Sequence, residues 1–368
     1  MLNEFRQDLV SGEWVLFATG RAKRPNNESV TEQGRRPSDE RGSTEPGRAK
    51  CPFEDPEGHG NEVLKTYLPA TEIDLPLASR DKSQKGPGMD FNRDSMPASG
   101  RWFAKVAKNK FPAVIEGEAG PRQAVGPFSV TEARGLHELV IYGDHDRQLH
   151  EYSAVELGRV FGIYQERYRA MAGYSTSKYV LIFHNKGTSA GASLVHPHSQ
   201  IISIPILPPD VKRSIFGAQR FYSEHGQRVY DLMIDWEIKE ARRIVYQTEN
   251  FIAFCPFVSK TPYEVRIFSK TSHSHFEHCP IELLPELGEV VGKVLTAVDR
   301  TLPGADFNFF IHTAPVEKVN DADPHQYYSW HIEILPKLSL TGGFELGSGV
   351  TVNIIDPDQA AEEFRHAL

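Results

Sequence analysis

Three polar side chains at a spacing of two, His196, His198 and Gln200, follow a stretch rich in Gly, Ser and Asn that begins at His184. Ile201, Ile202 and Ile204 favour extended backbone, so residues 195–205 read as a strand. In a strand, His196, His198 and Gln200 project from one face. Backbone amides and short hydroxyls just upstream can hold phosphate oxygens. An imidazole beside a phosphate site can act as a nucleophile at phosphorus.

The elements that must position this strand come in two similar series. In the first, Asn109-Lys-Phe-Pro-Ala precedes His137-Glu-Leu-Val-Ile-Tyr. A helix with Leu157, Val160, Phe161, Tyr164 and Tyr168 on one face comes next, and a strand at 179–183 leads to the histidine strand. In the second series, Glu249-Asn-Phe-Ile-Ala-Phe precedes Tyr263-Glu-Val-Arg-Ile-Phe. A helix carrying Leu287, Val290, Val291, Val294 and Val298 then leads to strands at 307–312 and 330–336. This order predicts an α+β protein of two tandem units, residues 1–206 and 207–368, each an antiparallel sheet with a covering helix. Between Leu207 and Gln247 the pattern is helical, with Tyr230, Met233, Ile234 and Ile238 at helical spacing. Residues 21–50 and 80–100 read as long loops. Aligning Pro205 with Pro336 sets Gln200 opposite His331 and His198 opposite Ser329, so the second unit is expected to lack a counterpart of His198.

Composition narrows the setting. At 368 residues the chain has room for two domains, and 39% hydrophobic with 24% charged residues fits a globular protein. No run approaches the ~20 apolar residues of a membrane helix. The N-terminus carries Asn3, Glu4, Arg6 and Asp8 rather than an apolar signal core. Three cysteines in a chain of this length make no disulfide framework, so the cytoplasm is the expected compartment. A net charge of −8 argues against general nucleic-acid affinity.

The block from Asn185-Lys-Gly to His196-Pro-His-Ser-Gln resembles the galactose-1-phosphate uridylyltransferase family of the histidine-triad superfamily. So do Trp14-Val-Leu-Phe-Ala-Thr-Gly-Arg-Ala-Lys-Arg-Pro, Cys51-Pro-Phe, Asn109-Lys-Phe-Pro-Ala and Gly342-Gly-Phe-Glu-Leu-Gly-Ser-Gly. The resemblance implies two histidine-triad-like units and a ping-pong reaction. His198 attacks the α-phosphorus of a nucleotide sugar, releases a sugar 1-phosphate and carries the nucleotide to an acceptor, with Gln200 bonding the phosphoryl oxygen. Expected substrates are a UDP-hexose and a hexose 1-phosphate, UDP-glucose with galactose 1-phosphate first among them, with no nucleic-acid or membrane partner. Asn185 and Ser193 match phosphate-contacting positions; Arg21, Arg24 and Asn109 match positions near the nucleotide. Phe344 and Glu345 match positions that contact the sugar from the partner subunit of a homodimer.

The resemblance also implies a structural zinc at Cys51, Glu54, His145 and His196, with Glu54 standing where the family has a second cysteine. A second metal is doubtful: His312 and His331 match two ligands of the family's other site, but Glu333 stands where a third histidine would be. Two other readings stay open. One is a nucleoside-diphosphate-sugar phosphorylase using a UDP- or ADP-sugar with phosphate, which Lys110 and the Gly342–Gly349 stretch resemble equally well. The other is a non-catalytic nucleotide-binding protein.

Overall fold

The computed structural model describes residues 3–23, 51–69, 102–118, 120, 122–316, 325–339 and 341–368. Most of the two expected long loops therefore lies outside the described residues. Around the histidine strand the first half supplies β3 (Val63–Tyr67), β4 (Ala104–Lys108), β7 (His137–Tyr142), helix α1 (Ala154–Ala172), β8 (Tyr179–Lys186) and β9 (His198–Ile204). Before and among them lie β1 (Asn3–Gln7), β2 (Trp14–Ala18) and the hairpin β5 (Gln123–Val125)–β6 (Phe128–Val130). Helices α2 (Pro209–His225) and α3 (Val229–Glu240) occupy the region expected to be helical. The second half then gives β10 (Ile244–Gln247), β11 (Phe251–Phe254), β12 (Val265–Ser269), α4 (Leu284–Thr301), β13 (Phe307–His312) and β14 (His331–Pro336). The chain closes with α5 (Gly343–Ser348), β15 (Thr351–Asn353) and α6 (Pro357–Ala367).

Ten strands form one antiparallel sheet in the order β3-β4-β7-β9-β8-β13-β14-β12-β11-β10. From either edge inward the connectivity is the same: the fifth strand of each half slips between its third and fourth. The repeat read from sequence is thus real, and the fold is α+β. The two five-stranded halves are continuous, because β8 and β13 pair antiparallel from Phe307↔Lys186 to Ile311↔Ile182. A separate three-stranded sheet, β1-β2-β15, lies apart from this one.

One face of the large sheet is covered by α1 and α4. The expected helix residues Leu157, Val160, Phe161, Tyr164 and Tyr168 are all buried, as are Leu287, Val290, Val291, Val294 and Val298. Helix α1 starts at a capping box, with Ser153 accepting from the Glu156 amide and Glu156 reaching back to the Ser153 amide. Close approach of the two helices needs glycine. A Cβ on Gly288 would lie 2.3 Å from the Ala154 carbonyl oxygen, and one on Gly158 would lie 2.8 Å from the Pro285 nitrogen.

Under α1, Ser199 of β9 is hydrogen-bonded to Tyr142, Tyr164 and His184 at 2.6, 2.7 and 3.1 Å. These bonds satisfy the Ser199 hydroxyl, and the other hydroxyl that β9 turns toward the core, Ser203, accepts from the Leu136 amide at 3.0 Å. In a helix interior Gly→Ala ordinarily stabilises by about 0.5–1 kcal/mol. Gly288→Ala should instead lower the melting temperature, because its Cβ meets backbone. Gly162→Ala, whose nearest neighbour is a Leu284 methyl at 3.8 Å, should hold or raise it; calorimetric melts of both variants decide the point.

Candidate functional site

Along β9 the alternation is plain: Ser199, Ile201 and Ser203 are fully buried toward the helices, while His198 and Gln200 face the opposite side. His198 is the first residue of the strand and only 7% exposed. Its Nδ1 lies 3.0 Å from the carbonyl oxygen of His196. A carbonyl only accepts, so Nδ1 carries the proton and Nε2 keeps its lone pair. Burial holds the imidazole below its ordinary pKa, with the His196 carbonyl opposing. Phe53 packs edge-on against the ring, centroids 5.0 Å apart.

His196 is oriented by the same logic. Its Nε2 is 2.7 Å from the Tyr142 carbonyl oxygen, so its Nδ1 is the unprotonated nitrogen. That Nδ1 faces the His145 Nδ1 at 3.1 Å and the Cys51 sulfur at 3.8 Å. Glu54 Oε1 stands 3.3 Å from His145 Nδ1. Burial pushes His196 down to about 4 and pushes the Cys51 thiol up. Cys51, His145 and His196 form a group whose donor atoms lie within 4.8 Å of one another and could hold a metal ion, with Glu54 at its edge. A neutral imidazole lone pair aimed at a thiol and a second imidazole suits a cation such as zinc, and the tight turn from Cys51 to Glu54 supplies two donors from one segment.

The expected substrate-contacting residues fall in different places. Asn185, on β8, accepts from Asn308 Nδ2 at 2.8 Å, and the same Nδ2 also donates to the Ala190 carbonyl at 2.7 Å. Ser193 is exposed on the segment leading into β9. Asn109 sits just past β4, its Oδ1 accepting from the Phe111 amide at 2.9 Å. Arg21 is exposed on the short helix that follows β2; Arg24 lies outside the described residues. Phe344 and Glu345 are on α5. Phe344 is 53% exposed, whereas Glu345 turns its carboxylate onto the Gly342 and Val352 amides of its own chain. Two residues that sequence reasoning passed over join the site: His137, whose Nε2 lies 2.9 Å from Gln200 Oε1, and Asn308. No local sequence signal marks either one, because the residue each touches lies on a different strand, β9 for His137 and β8 for Asn308.

In the second half His331 opens β14 as His198 opens β9, and its Nδ1 donates to the Ser329 carbonyl two residues back at 3.0 Å. The proline alignment therefore misjudged the register: Pro336 lies within β14, whereas Pro205 falls after the end of β9. An imidazole does occupy the equivalent place, but it is engaged. His331 stacks on Phe268 with centroids 4.7 Å apart, and its Nε2 is 3.5 Å from Glu333.

His312, His331 and Glu333 cluster closely enough to suggest a second cation, yet Arg266 already lies among them. Its guanidinium is 3.0 Å from Glu333 and 2.8 Å from Glu264. Burial would raise Glu333, but Arg266 and the two histidines hold it well below the usual carboxylate range. The set fits an ion-pair network better than a second metal, since a cation there would meet a fixed, buried positive charge. Arg266→Met should leave two buried carboxylates without their partner and destabilise the fold by about 3–5 kcal/mol, measured by denaturant unfolding.

Comparison with known proteins fits this architecture. The family model for galactose-1-phosphate uridyl transferase, N-terminal domain, matches residues 90–208. A galactose-1-phosphate uridylyltransferase of Thermotoga maritima is 31% identical over 65% of this chain and 76% of the relative. An ADP-glucose phosphorylase of Arabidopsis thaliana is 27% identical over 98% of this chain and 92% of the relative. The structure of an Arabidopsis ADP-glucose phosphorylase with bound ADP-glucose superposes with a TM-score of 0.75 at 26% identity, covering 99% of both chains. A uridylyltransferase structure reaches 0.66 at 25% identity over 99% and 98%. The shared fold and the extent of these matches make this chain an enzyme of the galactose-1-phosphate uridylyltransferase family.

Proposed function

We propose that the protein is a nucleotidyltransferase that splits a nucleoside diphosphate hexose with inorganic phosphate, through a covalent nucleotidyl-histidine at His198. The observation that carries this reading is the bond from His198 Nδ1 to the His196 carbonyl, which leaves Nε2 bare on the same strand face as Gln200. In the first step the Nε2 lone pair forms a bond to the α-phosphorus. The bond from that phosphorus to the bridging oxygen breaks, and hexose 1-phosphate leaves with the electron pair. The imidazole is then cationic, and its Nδ1–H, already aimed at a carbonyl, bears part of that charge. In the second step a phosphate oxygen attacks phosphorus, the N–P bond breaks, and neutral His198 returns. Gln200 and Asn185 bond the phosphoryl oxygens, Ser193 adds a hydroxyl, and Arg21, Arg24 and Asn109 serve the nucleotide.

Phosphate is favoured as acceptor because the ADP-glucose phosphorylase relative aligns over 98% of this chain, against 65% for the Thermotoga uridylyltransferase, and the ADP-glucose phosphorylase structure superposes with a TM-score of 0.75, against 0.66 for the uridylyltransferase structure. A second reading keeps the same chemistry with a hexose 1-phosphate as acceptor, UDP-glucose with galactose 1-phosphate. It is favoured by the 31% identical uridylyltransferase and by the family model over residues 90–208. In both readings zinc at Cys51, Glu54, His145 and His196 would act structurally, fixing the segment that sets Phe53 against His198. A homodimer is part of the proposal, with the exposed Phe344 and Leu346 of α5 offered to the partner. Three unpaired, buried cysteines suit the reducing cytoplasm.

Incubation with α-phosphorus-labelled ADP-glucose or UDP-glucose should leave label on the protein. His198→Ala should lower that labelling on the order of 10⁴-fold or more. Tight nucleotide binding without any label on the wild type would make the protein a binder and sink the proposal. Chasing the labelled protein with phosphate or galactose 1-phosphate separates the two acceptors: the proposal expects phosphate to discharge it faster. Cys51→Ser should strip bound zinc, read by elemental analysis, and lower the melting temperature, while His312→Ala should leave the metal content unchanged.

A further inference from the structure

The amides of Gln200 and Asn185 could each present either a carbonyl oxygen or an NH2 group to a bound phosphate, and only the NH2 end is useful. Hydrogen-bond chains that start at backbone groups of known polarity decide which end it is. The first begins at Ala113. Its amide N–H donates to His137 Nδ1 at 3.1 Å, so that nitrogen is the unprotonated one. His137 Nε2 therefore carries the hydrogen and donates to Gln200 Oε1 at 2.9 Å. With its carbonyl claimed, Gln200 can offer the site only its NH2 group.

Asn109 Nδ2 lies 3.2 Å from the same His137 nitrogen. Because Phe111 N–H fixes Asn109 Oδ1, donor meets donor there and Asn109 does not compete for the proton. Burial lowers the His137 pKa, which keeps the ring neutral and this polarity fixed. The second chain begins at the Ala190 carbonyl. Only Nδ2 of Asn308 can face it, at 2.7 Å, and the same Nδ2 donates to Asn185 Oδ1 at 2.8 Å. Asn185 is thereby turned NH2-outward as well.

We infer that His137 and Asn308 are positioning residues that lock the amides of Gln200 and Asn185 as hydrogen-bond donors toward the phosphoryl group undergoing transfer. The inference rests on the proposed nucleotidyl transfer, and it assigns a task to the Asn109–Ala113 phrase: this turn wraps the His137 ring and sets its tautomer. The two chains act from opposite sides, one through β7 and one across the β8–β13 seam.

Three substitutions test it. His137→Phe keeps a ring but cannot donate, and His137→Gln restores an N–H near the position of Nε2. Asn308→Asp keeps the shape but turns a carboxylate toward Asn185, inviting its NH2 group away from the site. In single-turnover labelling with nucleotide sugar, His137→Phe and Asn308→Asp should each slow nucleotidylation about 10²-fold. Dissociation constants for ADP and UDP should change less than about threefold and melting temperatures should hold, while His137→Gln should recover most of the rate.

Wild-type rates in both variants would overturn the inference. So would a loss that follows a fall in melting temperature and is not rescued by His137→Gln. Should His137→Phe fail to fold, Asn308→Asp decides alone, since it changes one atom and leaves volume intact. If the wild type takes no label, it is the nucleotidyl transfer that fails; if the wild type labels and the variants match it, only the positioning role fails.

Discussion

The bond between the His198 Nδ1 and the carbonyl oxygen of His196 is the interaction on which the rest depends. It runs from the first residue of β9 back to the segment that leads into it, so it needs the backbone around Pro197 held in place. The Pro197 carbonyl accepts from the Tyr142 amide at 3.3 Å, and the Tyr142 carbonyl accepts from His196 in return. One strand entry therefore sets the tautomers of two histidines with opposite results. His198 keeps Nε2 bare on the strand face it shares with Gln200, and His196 keeps Nδ1 bare toward the Cys51 sulfur. Neither outcome requires a charged residue. Both follow from backbone carbonyls, which accept and never donate.

Backbone groups hold such polarity well only where they cannot move, and the sheet supplies that rigidity. β9 is paired on both sides, by β7 and β8, and is covered by a helix whose glycines allow contact at backbone distance. The second half extends the sheet across β8–β13 and lends Asn308 to the site of the first. Its own equivalent of His198 is absorbed by Glu333, Arg266 and Phe268. In one copy the strand-opening imidazole faces the same side as Gln200, and in the other the corresponding imidazole belongs to an ion-pair network with Glu333 and Arg266.

Much of this was legible in the sequence, and what was missed has a common cause. Local signals were sufficient for the strand with His198 and Gln200, the two apolar helix faces and the repeat, because period and residue type are local properties. His137 and Asn308 were missed because their importance lies in a cross-strand partner 63 and 123 residues away. Arg266 was read only as one member of a strand, since nothing nearby in sequence shows that Glu333 stands beside it. The misplaced register of the second unit came from trusting a proline that closes one strand and follows the other. Sequence spacing orders residues along a strand, but it does not say where hydrogen bonding begins.

On the inferred orientation of Gln200 and Asn185, fixed donors also explain how one block of residues can serve relatives with different acceptors. In the proposed reaction the leaving group of the first step is a sugar 1-phosphate and the attacking group of the second is a phosphate or another sugar 1-phosphate. Each meets the same phosphorus through an anionic oxygen, so donors that stabilise departure in one direction stabilise attack in the other. A titratable side chain at position 200 would break that symmetry by offering a proton to one oxygen and not the other. An amide held NH2-outward has no such proton to give, and its contribution is the same for both half-reactions. In the proposed reaction the face built by His198, Gln200 and Asn185 therefore carries the transfer itself, and the choice of acceptor falls to residues beyond it.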